Sequence, residues 1–444
     1  MSAAYASNDV VSAMVPEPDG APRLLPLDVL RGVAILAILF MNMDGMGAAM
    51  EGFFLGDPRL LGWTELDRIV WWTRQLFAEG TARCLLELLF GAGMVILTDR
   101  AAATLPGGRV LRDYAWRNVV LLLFGLAHVF LLLWPGDILH TYALAALATM
   151  GLRRLRPRLL LTLGLALATL QLVGGVADAL VADRQRAAVD AAGTHAVPTA
   201  AERSLIAADD RDRAARARDR ADALARIAAE DRARSGSAVG WVRSLWGSFL
   251  HMQSLWLEPF FVGEAASVML VGAALFRWGV LQGGRSAWFY LGLTVAGYGL
   301  GLPLRAWAAY ALTRFHDAPS LAPAFGEWAR ILVALGHLGL VMLLLRTGLG
   351  ARALRPFAAA GRTALTIYIA QTLTCLWVLY PPWGFAFYGR QGWVGLMTTA
   401  LLVDAGLLAA AVWWTRRSAI GPVEWAWRSI VAGRRLPMRL PRAP

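Results

Sequence analysis

Polar and ionisable side chains inside long apolar segments are the residues of this sequence that could perform chemistry. The first such segment carries Asp28, Arg31 and Asn42. Asp28 and Arg31 are three positions apart, so they can pair on one helical face. Asn42 follows Arg31 by eleven positions, about three helical turns, and therefore shares that face. Because charge inside a membrane needs a partner or a cavity, this stripe is either a structural ion pair or the lining of a substrate site.

A histidine lies deep in the third apolar segment. His128 follows Arg117 by eleven residues, roughly 16 Å along a helix, which places it near the middle of a membrane. Imidazole titrates near neutral pH, so His128 is the candidate general base, with a packing histidine as the alternative. Asp137 follows in the turn before the fourth segment, where it can also cap the next helix.

Further polar residues within or at the ends of apolar segments are candidates for substrate binding, because burying them has a cost. They are Arg117, Asp137, Glu264, Arg305, Arg362 and Gln371. Arg305 has the charge to pair with Glu264, although the sequence does not establish the pairing. The two cysteines, Cys84 and Cys375, both lie in apolar segments and indicate neither a metal site nor a disulfide framework.

The second apolar segment has features that favour a structural role. Glu79, Arg83 and Glu87 follow one another at i,i+4 spacing and form one charged helical face. Gly91 and Gly93 follow, and such small residues allow close approach of a neighbouring helix.

These residues must be positioned by membrane-spanning helices. Hydrophobic residues make up 57% of the 444 positions, charged residues 17%, and the mean hydropathy is +0.51. Runs of about 20 apolar residues are typical of transmembrane helices. They predict an all-α polytopic bundle of about ten spans, near residues 27–50, 77–98, 118–134, 138–152, 159–182, 259–276, 287–313, 328–345, 363–380 and 393–415.

The distribution of arginine predicts the orientation of this bundle. The net charge is +12 and comes from arginine, since the sequence has no lysine. The dense arginine clusters fall in alternate short loops and in the C-terminal tail, as in Arg153, Arg154, Arg156 and Arg158. The positive-inside rule therefore predicts that both termini face the cytoplasm. Clusters that set orientation in a membrane do not indicate nucleic-acid binding, and the predicted location is the bacterial cytoplasmic (inner) membrane.

The pattern divides the chain into five parts. A disordered cytoplasmic tail (1–24) precedes a five-helix membrane region (25–182), and a second five-helix region (241–416) precedes a cytoplasmic interfacial tail (417–444). Between the membrane regions, residues 183–240 are rich in Ala, Arg and Asp, with nearly balanced charge. This composition favours an extracytoplasmic, exposed helical hairpin or partly disordered insertion, which we expect to be dispensable for folding.

Several strings resemble the bacterial YeiB-like family, whose domain has no assigned function. They are Leu27–Gly32 with Asn42, Leu89–Gly93, Gly136–Leu139 with Tyr142, Gly361–Tyr368 with Gln371, and Gly421–Arg428. The opening string is also similar to the heparan-alpha-glucosaminide N-acetyltransferase group and to other multispanning acyltransferases. One departure concerns the base: no histidine follows shortly after Asn42, where those acetyltransferases carry theirs.

The resemblance implies transfer of an acyl group from cytoplasmic acyl-CoA to a hydroxyl or amine of a glycan or lipid-linked acceptor. Loop arginines, namely Arg109, Arg112 and Arg117, would hold the CoA phosphates. On physical grounds His128 takes the place of the missing base, Asn42 or Arg31 stabilises the oxyanion, and Asp28 orients Arg31. Acyl-CoA would be a co-substrate, and we expect no bound cofactor. The rival interpretations are a transporter or exporter of a small molecule or lipid precursor, and a non-catalytic assembly factor.

Overall fold

A computed structural model describes residues 24–254, 257–315 and 320–438, and the predicted disordered tail lies outside them except for Leu24. No β-strand occurs in these ranges. The first half comprises α1 (Leu25–Gly47), α2 (Met50–Leu55), α3 (Glu65–Phe77), α4 (Thr81–Ala102), α5 (Gly107–Leu131), α6 (Leu139–Thr149), α7 (Pro157–Gly193) and α8 (Ala200–Gly236). The second half comprises α9 (Ala238–Ser254), α10 (Leu257–Arg277), α11 (Ala287–Thr313), α12 (Gly326–Leu344), α13 (Gly348–Arg362), α14 (Ala364–Thr372), a π-helix (Leu373–Leu379), α15 (Trp393–Trp414) and α16 (Pro422–Ala432).

The predicted all-α polytopic bundle is confirmed. Eight helical segments of the described chain are long and apolar enough to cross a membrane. Two shorter apolar segments, Leu139–Leu152 and Ala364–Leu379, coincide with the predicted fourth and ninth spans. The ten predicted spans thus each correspond to an apolar helix, and the in–out orientation stays a prediction from arginine.

Glycines bring the central helices into backbone contact. A Cβ on Gly32 of α1 would overlap the carbonyl oxygen of Phe357, and one on Gly361 of α13 would overlap that of Asp28. Gly91 of α4 and Gly272 of α10 meet the opposite backbone in the same reciprocal way. Helices that touch at glycine gain close packing and dispersion contacts, which drive association where no hydrophobic effect operates.

A buried charge network joins α4, α10 and α12. Arg330 contacts Glu87 at 2.9 Å, Glu327 at 2.7 Å and Glu264 at 3.3 Å. Arg83 also pairs with Glu264 and lies 3.4 Å from Glu87. Each buried charge therefore has a counter-ion, which is what makes its burial tolerable.

Arg305 does not pair with Glu264. Its guanidinium donates instead to the carbonyl oxygens of Gln75, at 2.8 Å, and Glu79. The Gln75 carbonyl lies in the last turn of α3 and the Glu79 carbonyl in the turn that follows it, and a cation is favourable at a helix C-terminus. Neither Arg305 nor Glu264 contacts the cavity described below, so their contacts are those of helix-packing residues.

The insertion forms a long helical hairpin whose second arm packs into the bundle. α7 extends beyond its apolar part to Gly193, and α8 returns to Gly236. Near the end of α8, Arg234 is fully buried and donates to the carbonyls of Gly45, Met46 and Ala48 at the C-terminal end of α1. The expectation that residues 195–235 add little to the folded bundle is therefore wrong at this end of α8.

Candidate functional site

A cavity of about 700 Å³ lies among α1, α4, α5, α6, α13, α14 and α16. It is at the end of the bundle that carries the dense arginine clusters, which is the predicted cytoplasmic side. Its charged lining consists of Asp28, Arg31, Arg100, Arg117, Arg362, Glu424, Arg428 and Arg434. Six arginines against two carboxylates make this lining strongly basic.

The deeper lining is apolar and aromatic. It includes Leu89, Phe90, Met94, Leu121, Leu139, Tyr142 and Tyr368. A basic mouth that leads to an apolar interior fits a molecule with an anionic head and an apolar tail.

Arg117 is the arginine of this lining whose surroundings best suit it to bind an anion. Its guanidinium lies 3.9 Å from the ring centroid of Trp427, which holds it over the cavity by a cation–π contact. Its Nη1 atom is buried and has no hydrogen-bond partner among the described residues. A buried donor without an acceptor is costly, so a ligand oxygen at this position would be stabilised.

Asp28 and Arg31 form the predicted pair, at 3.2 Å, and both line the cavity. Asn42 lies further along α1, half-buried, and does not belong to the lining. Of the polar stripe on α1, only Asp28 and Arg31 therefore face the cavity.

Glu424 positions the start of α14. Its carboxylate accepts hydrogen bonds from the backbone N–H of Leu365, at 2.6 Å, and from the hydroxyl of Thr366, at 2.6 Å. Burial raises the pKa of Glu424, and these hydrogen bonds oppose the rise. The carboxylate thus caps a helix whose own preceding residue, Thr363, supplies no side-chain cap.

His128 lies just beyond the deep end of the cavity, in a buried chain of hydrogen bonds. Its Nδ1 is 2.6 Å from Asp137 Oδ1, and its Nε2 is 2.9 Å from the hydroxyl of Thr372. The His128 side chain is fully buried, and the Tyr368 ring packs edge-on against it at 4.8 Å. Tyr368 lines the cavity and His128 does not, so one aromatic ring separates the imidazole from the cavity.

The chain of hydrogen bonds continues away from the cavity. Asp137 Oδ2 accepts from the His140 backbone N–H at 2.9 Å, as expected for a cap of α6, and lies 2.8 Å from His140 Nδ1. His140 Nε2 is 3.1 Å from Glu258, which also accepts from Thr141 at 2.9 Å. The sequence signalled Asp137 but not His140 or Glu258, because only the folded chain brings α10 next to α6.

The remaining predicted residues lie in different surroundings. Arg117 and Arg362 line the cavity, whereas Arg109 and Arg112 do not, and substrate binding by the first two stays a prediction. Gln371 is buried and donates to the Ile35 carbonyl at 3.1 Å and to Asp404 at 2.9 Å.

Some residues of the site were not predicted from the sequence. They are the cavity residues Arg100, Tyr114, Tyr368, Arg428 and Arg434, and Glu424, which caps α14. Tyr368, Glu424 and Arg428 lie in the strings Gly361–Tyr368 and Gly421–Arg428, which carry the family resemblance and could have indicated these residues.

Comparison with known proteins supports the predicted resemblance. Residues 275–434 match the family described as a protein of unknown function, DUF418. The chain is 28% identical to the uncharacterized protein YeiB of Escherichia coli (strain K12), over 92% of this chain and 96% of that protein. It is 26% identical to the uncharacterized protein YxaH of Bacillus subtilis (strain 168), over 92% of this chain and 94% of that protein. The predicted likeness to the YeiB-like proteins is confirmed.

Proposed function

Taking the chain as a YeiB-like membrane protein, we propose that it is an acyltransferase that uses cytoplasmic acyl-CoA. The acceptor is a hydroxyl or amine of a glycan or a lipid-linked molecule. The observation that carries this proposal is the cavity, whose mouth is basic and whose interior is apolar. Acyl-CoA combines phosphates with an apolar chain, and a cavity of about 700 Å³ is within the usual size of a small-molecule site.

The arginines of the mouth would bind the donor's phosphates. Arg117 offers a buried donor that no described residue bonds, and Arg100 and Arg434 line the same cavity. Guanidinium groups bind phosphate through paired, charge-assisted hydrogen bonds. The thioester would then point toward Tyr368 and His128.

Arg31 and His128 would perform the chemistry. Arg31 lines the cavity and Asn42 does not, so Arg31 is the better candidate to stabilise the oxyanion, with Asp28 orienting it at 3.2 Å. Asp137 would hold the His128 ring in the tautomer that leaves Nε2 free to accept a proton. Movement of the Tyr368 ring would give the imidazole access to the acceptor hydroxyl or amine beside the thioester.

Donor binding gives a direct test. Coenzyme A is titrated into the purified protein in lipid nanodiscs, and the affinity is compared for the parent, Arg117→Gln and Arg158→Gln. We expect Arg117→Gln to weaken binding about 10-fold or more, since a hydrogen bond to a charged group contributes roughly 1.5–3 kcal/mol. Arg158 is exposed at the same end of the bundle and outside the cavity, so its substitution should have little effect. Absence of CoA binding by the parent would refute the proposal.

A transporter or exporter is the second candidate, favoured by Asp404. This carboxyl is buried within α15, and its one hydrogen bond in the described structure is to Gln371. Its Oδ2 atom has no partner among the described residues. Membrane carboxyls without a counter-ion are typical of proton relays in transporters. Proton-dependent uptake of a substrate by proteoliposomes, without release of CoA from acyl-CoA, would favour this alternative.

A further inference from the structure

Thr372, His128 and Asp137 are arranged as a nucleophile, a base and an orienting carboxylate. The Thr372 hydroxyl is 2.9 Å from His128 Nε2, and Asp137 is 2.6 Å from His128 Nδ1. A hydroxyl within hydrogen-bond reach of a base that is itself held by a third group is the geometric signature of covalent catalysis.

Most buried threonines of the described chain satisfy their hydroxyl with a carbonyl of their own helix, and Thr372 does not. Thr98, Thr149 and Thr415 each donate to the carbonyl one turn earlier, at 2.7, 2.8 and 2.8 Å. That bond is the ordinary way to satisfy a buried helical threonine. The Thr372 hydroxyl meets an imidazole instead, and the π-helix Leu373–Leu379 begins at the next residue. π-Helical turns occur frequently at functional sites.

Thr372 lies close to the cavity. Tyr368, one helical turn earlier on α14, lines the cavity and packs against the His128 ring. The four positions between Tyr368 and Thr372 correspond to a rise of about 6 Å. Ile138, next to Asp137, also lines the cavity and donates its N–H to the Tyr368 hydroxyl at 3.1 Å. A thioester at the deep end therefore stands within one side-chain movement of Thr372.

We propose that Thr372 is the nucleophile of a covalent, two-step acyl transfer; this rests on the acyltransferase function proposed above. The Thr372 oxygen bonds to the thioester carbonyl carbon, His128 takes the hydroxyl proton at Nε2, and the C–S bond breaks. The proton then passes to the thiolate, and free CoA leaves. In the second step the acceptor hydroxyl attacks the threonyl ester, its proton goes to His128, and the C–O bond breaks. The Thr372 alkoxide recovers that proton.

A covalent intermediate suits a donor and an acceptor that approach from different sides. The cavity lies at the arginine-rich end, whereas Asp137, His140 and Glu258 connect His128 toward the opposite ends of α5 and α10. Thr372 lies between these two sides. If it carries the acyl group, the donor can leave before the acceptor binds.

The test is to trap the acyl group without an acceptor. The full-length protein in nanodiscs is incubated with acetyl-CoA or octanoyl-CoA, quenched in acid, and examined by intact and peptide mass spectrometry. We expect one acyl group per chain on the peptide that contains Thr372, with a matching burst of CoA. Thr372→Ser should retain the adduct. Thr372→Val, which keeps the shape but lacks the hydroxyl, should lose the adduct and slow CoA release by about 100-fold or more. Thr415→Val is the control, because it removes a buried hydroxyl at the C-terminal cap of α15, outside the cavity lining.

The outcomes separate this inference from the proposed function. CoA release with no acyl group on Thr372, at the same rate in Thr372→Val, would overturn the covalent step and leave the acyltransferase standing. Binding of CoA by the parent without release of CoA from either donor would overturn the covalent step alone, because a direct transfer releases CoA only when an acceptor is present. Failure of the parent to bind CoA would overturn both. The trapped adduct is read on the parent protein, so the test holds even if Thr372→Val melts early.

Discussion

Three histidines of the described chain, His128, His140 and His337, have both ring nitrogens hydrogen-bonded within the bundle. The surroundings of His128 and His337 differ. His337 contacts the Tyr298 hydroxyl at 2.6 Å and the Phe77 carbonyl at 2.9 Å. Those partners stay neutral, as expected for a packing histidine. His128 meets a carboxylate and a hydroxyl, and one ring separates it from the cavity. A carboxylate partner can stabilise the imidazolium that forms during base catalysis, which a carbonyl does less well.

His128→Gln is predicted to abolish acyl transfer. Glutamine is polar but cannot take up a proton, so turnover should fall by roughly 10²–10⁴-fold, the usual contribution of a general base. The change also orphans buried hydrogen-bonding groups and should lower stability by about 1–3 kcal/mol. CoA release and melting temperature are measured on the same samples.

His337→Gln provides the matched control for that measurement. It should reduce stability by a similar amount and keep turnover, because His337 bonds to Tyr298 and Phe77 and lies outside both the cavity and the chain of hydrogen bonds around His128. If His128→Gln retained parental turnover, His128 would be a packing residue and another base would be needed.

At the scale of elements, α14 depends on a distant residue for its first turn. The chain turns at Thr363 between α13 and α14, and the free N–H groups that result are met by Glu424 of α16. Four N–H groups at a helix start lack partners within the helix, and a carboxylate both accepts their bonds and complements the helix dipole. Since α14 carries Tyr368 and Thr372, the cap of one element helps to position the site on another.

Glu424→Ala should therefore impair both stability and turnover. Losing the cap should lower stability by about 0.5–2 kcal/mol, as for other helix caps, and displace the start of α14. Glu424→Gln keeps an oxygen acceptor and should lose less of both. Thermal melting and CoA release of the two variants check this order. Equal effects from alanine and glutamine would show that the hydrogen bonds to α14 do not matter.

At the scale of the whole molecule, the charged insertion contacts the bundle along the second half of α8, where Arg220 pairs with Asp57 and Arg226 with Glu51. Its fully buried anchor is Arg234. Arg234 binds three carbonyls of the α1 end, pairs with Glu230 at 3.1 Å, and lies over the rings of Trp241 and Tyr388 at 4.5 and 4.1 Å. A cation at a helix C-terminus offsets the partial negative charge there. The hairpin thus closes one end of the helix that carries Asp28 and Arg31 at its other end.

Arg234→Ala is predicted to destabilise the protein by about 3–5 kcal/mol, because it leaves Glu230 and the carbonyls buried without their cation. Arg232→Ala, two residues earlier and exposed, should be nearly neutral. The melting temperatures of the two variants in detergent test this prediction.

Replacing residues 203–219 with a Gly/Ser linker should be tolerated, whereas replacement through residue 235 should not. A folded protein with normal melting after replacement of 195–235 would contradict the anchoring role of Arg234.

The orientation of the bundle is predicted from arginine alone. Reporters fused after Arg100, Arg156, Arg352 and Pro444 should report the cytoplasm, and one within 200–230 should report the opposite side. A cytoplasmic signal from the fusion within 200–230 would reject the ten-span topology. It would also remove the basis for placing the cavity mouth on the CoA side.

The sequence by itself determined the class of this protein, because hydropathy and arginine placement are local properties that a membrane reads directly. It also predicted the Asp28–Arg31 pair, the close approach at Gly91 and the Asp137 cap, all of which depend on neighbours in the chain or on one glycine.

Only the tertiary structure decided which polar residues meet. It separated Asn42, Glu264 and Arg305 from the cavity, and it brought Thr372 to His128 across 244 positions of sequence. Helical spacing tells which residues share a face, but the rotation of each helix and its neighbours are set by packing over the whole bundle. The arginine-lined cavity also depends on this packing. Its residues come from the ends of helices far apart in the chain, so no single segment of the sequence could predict it.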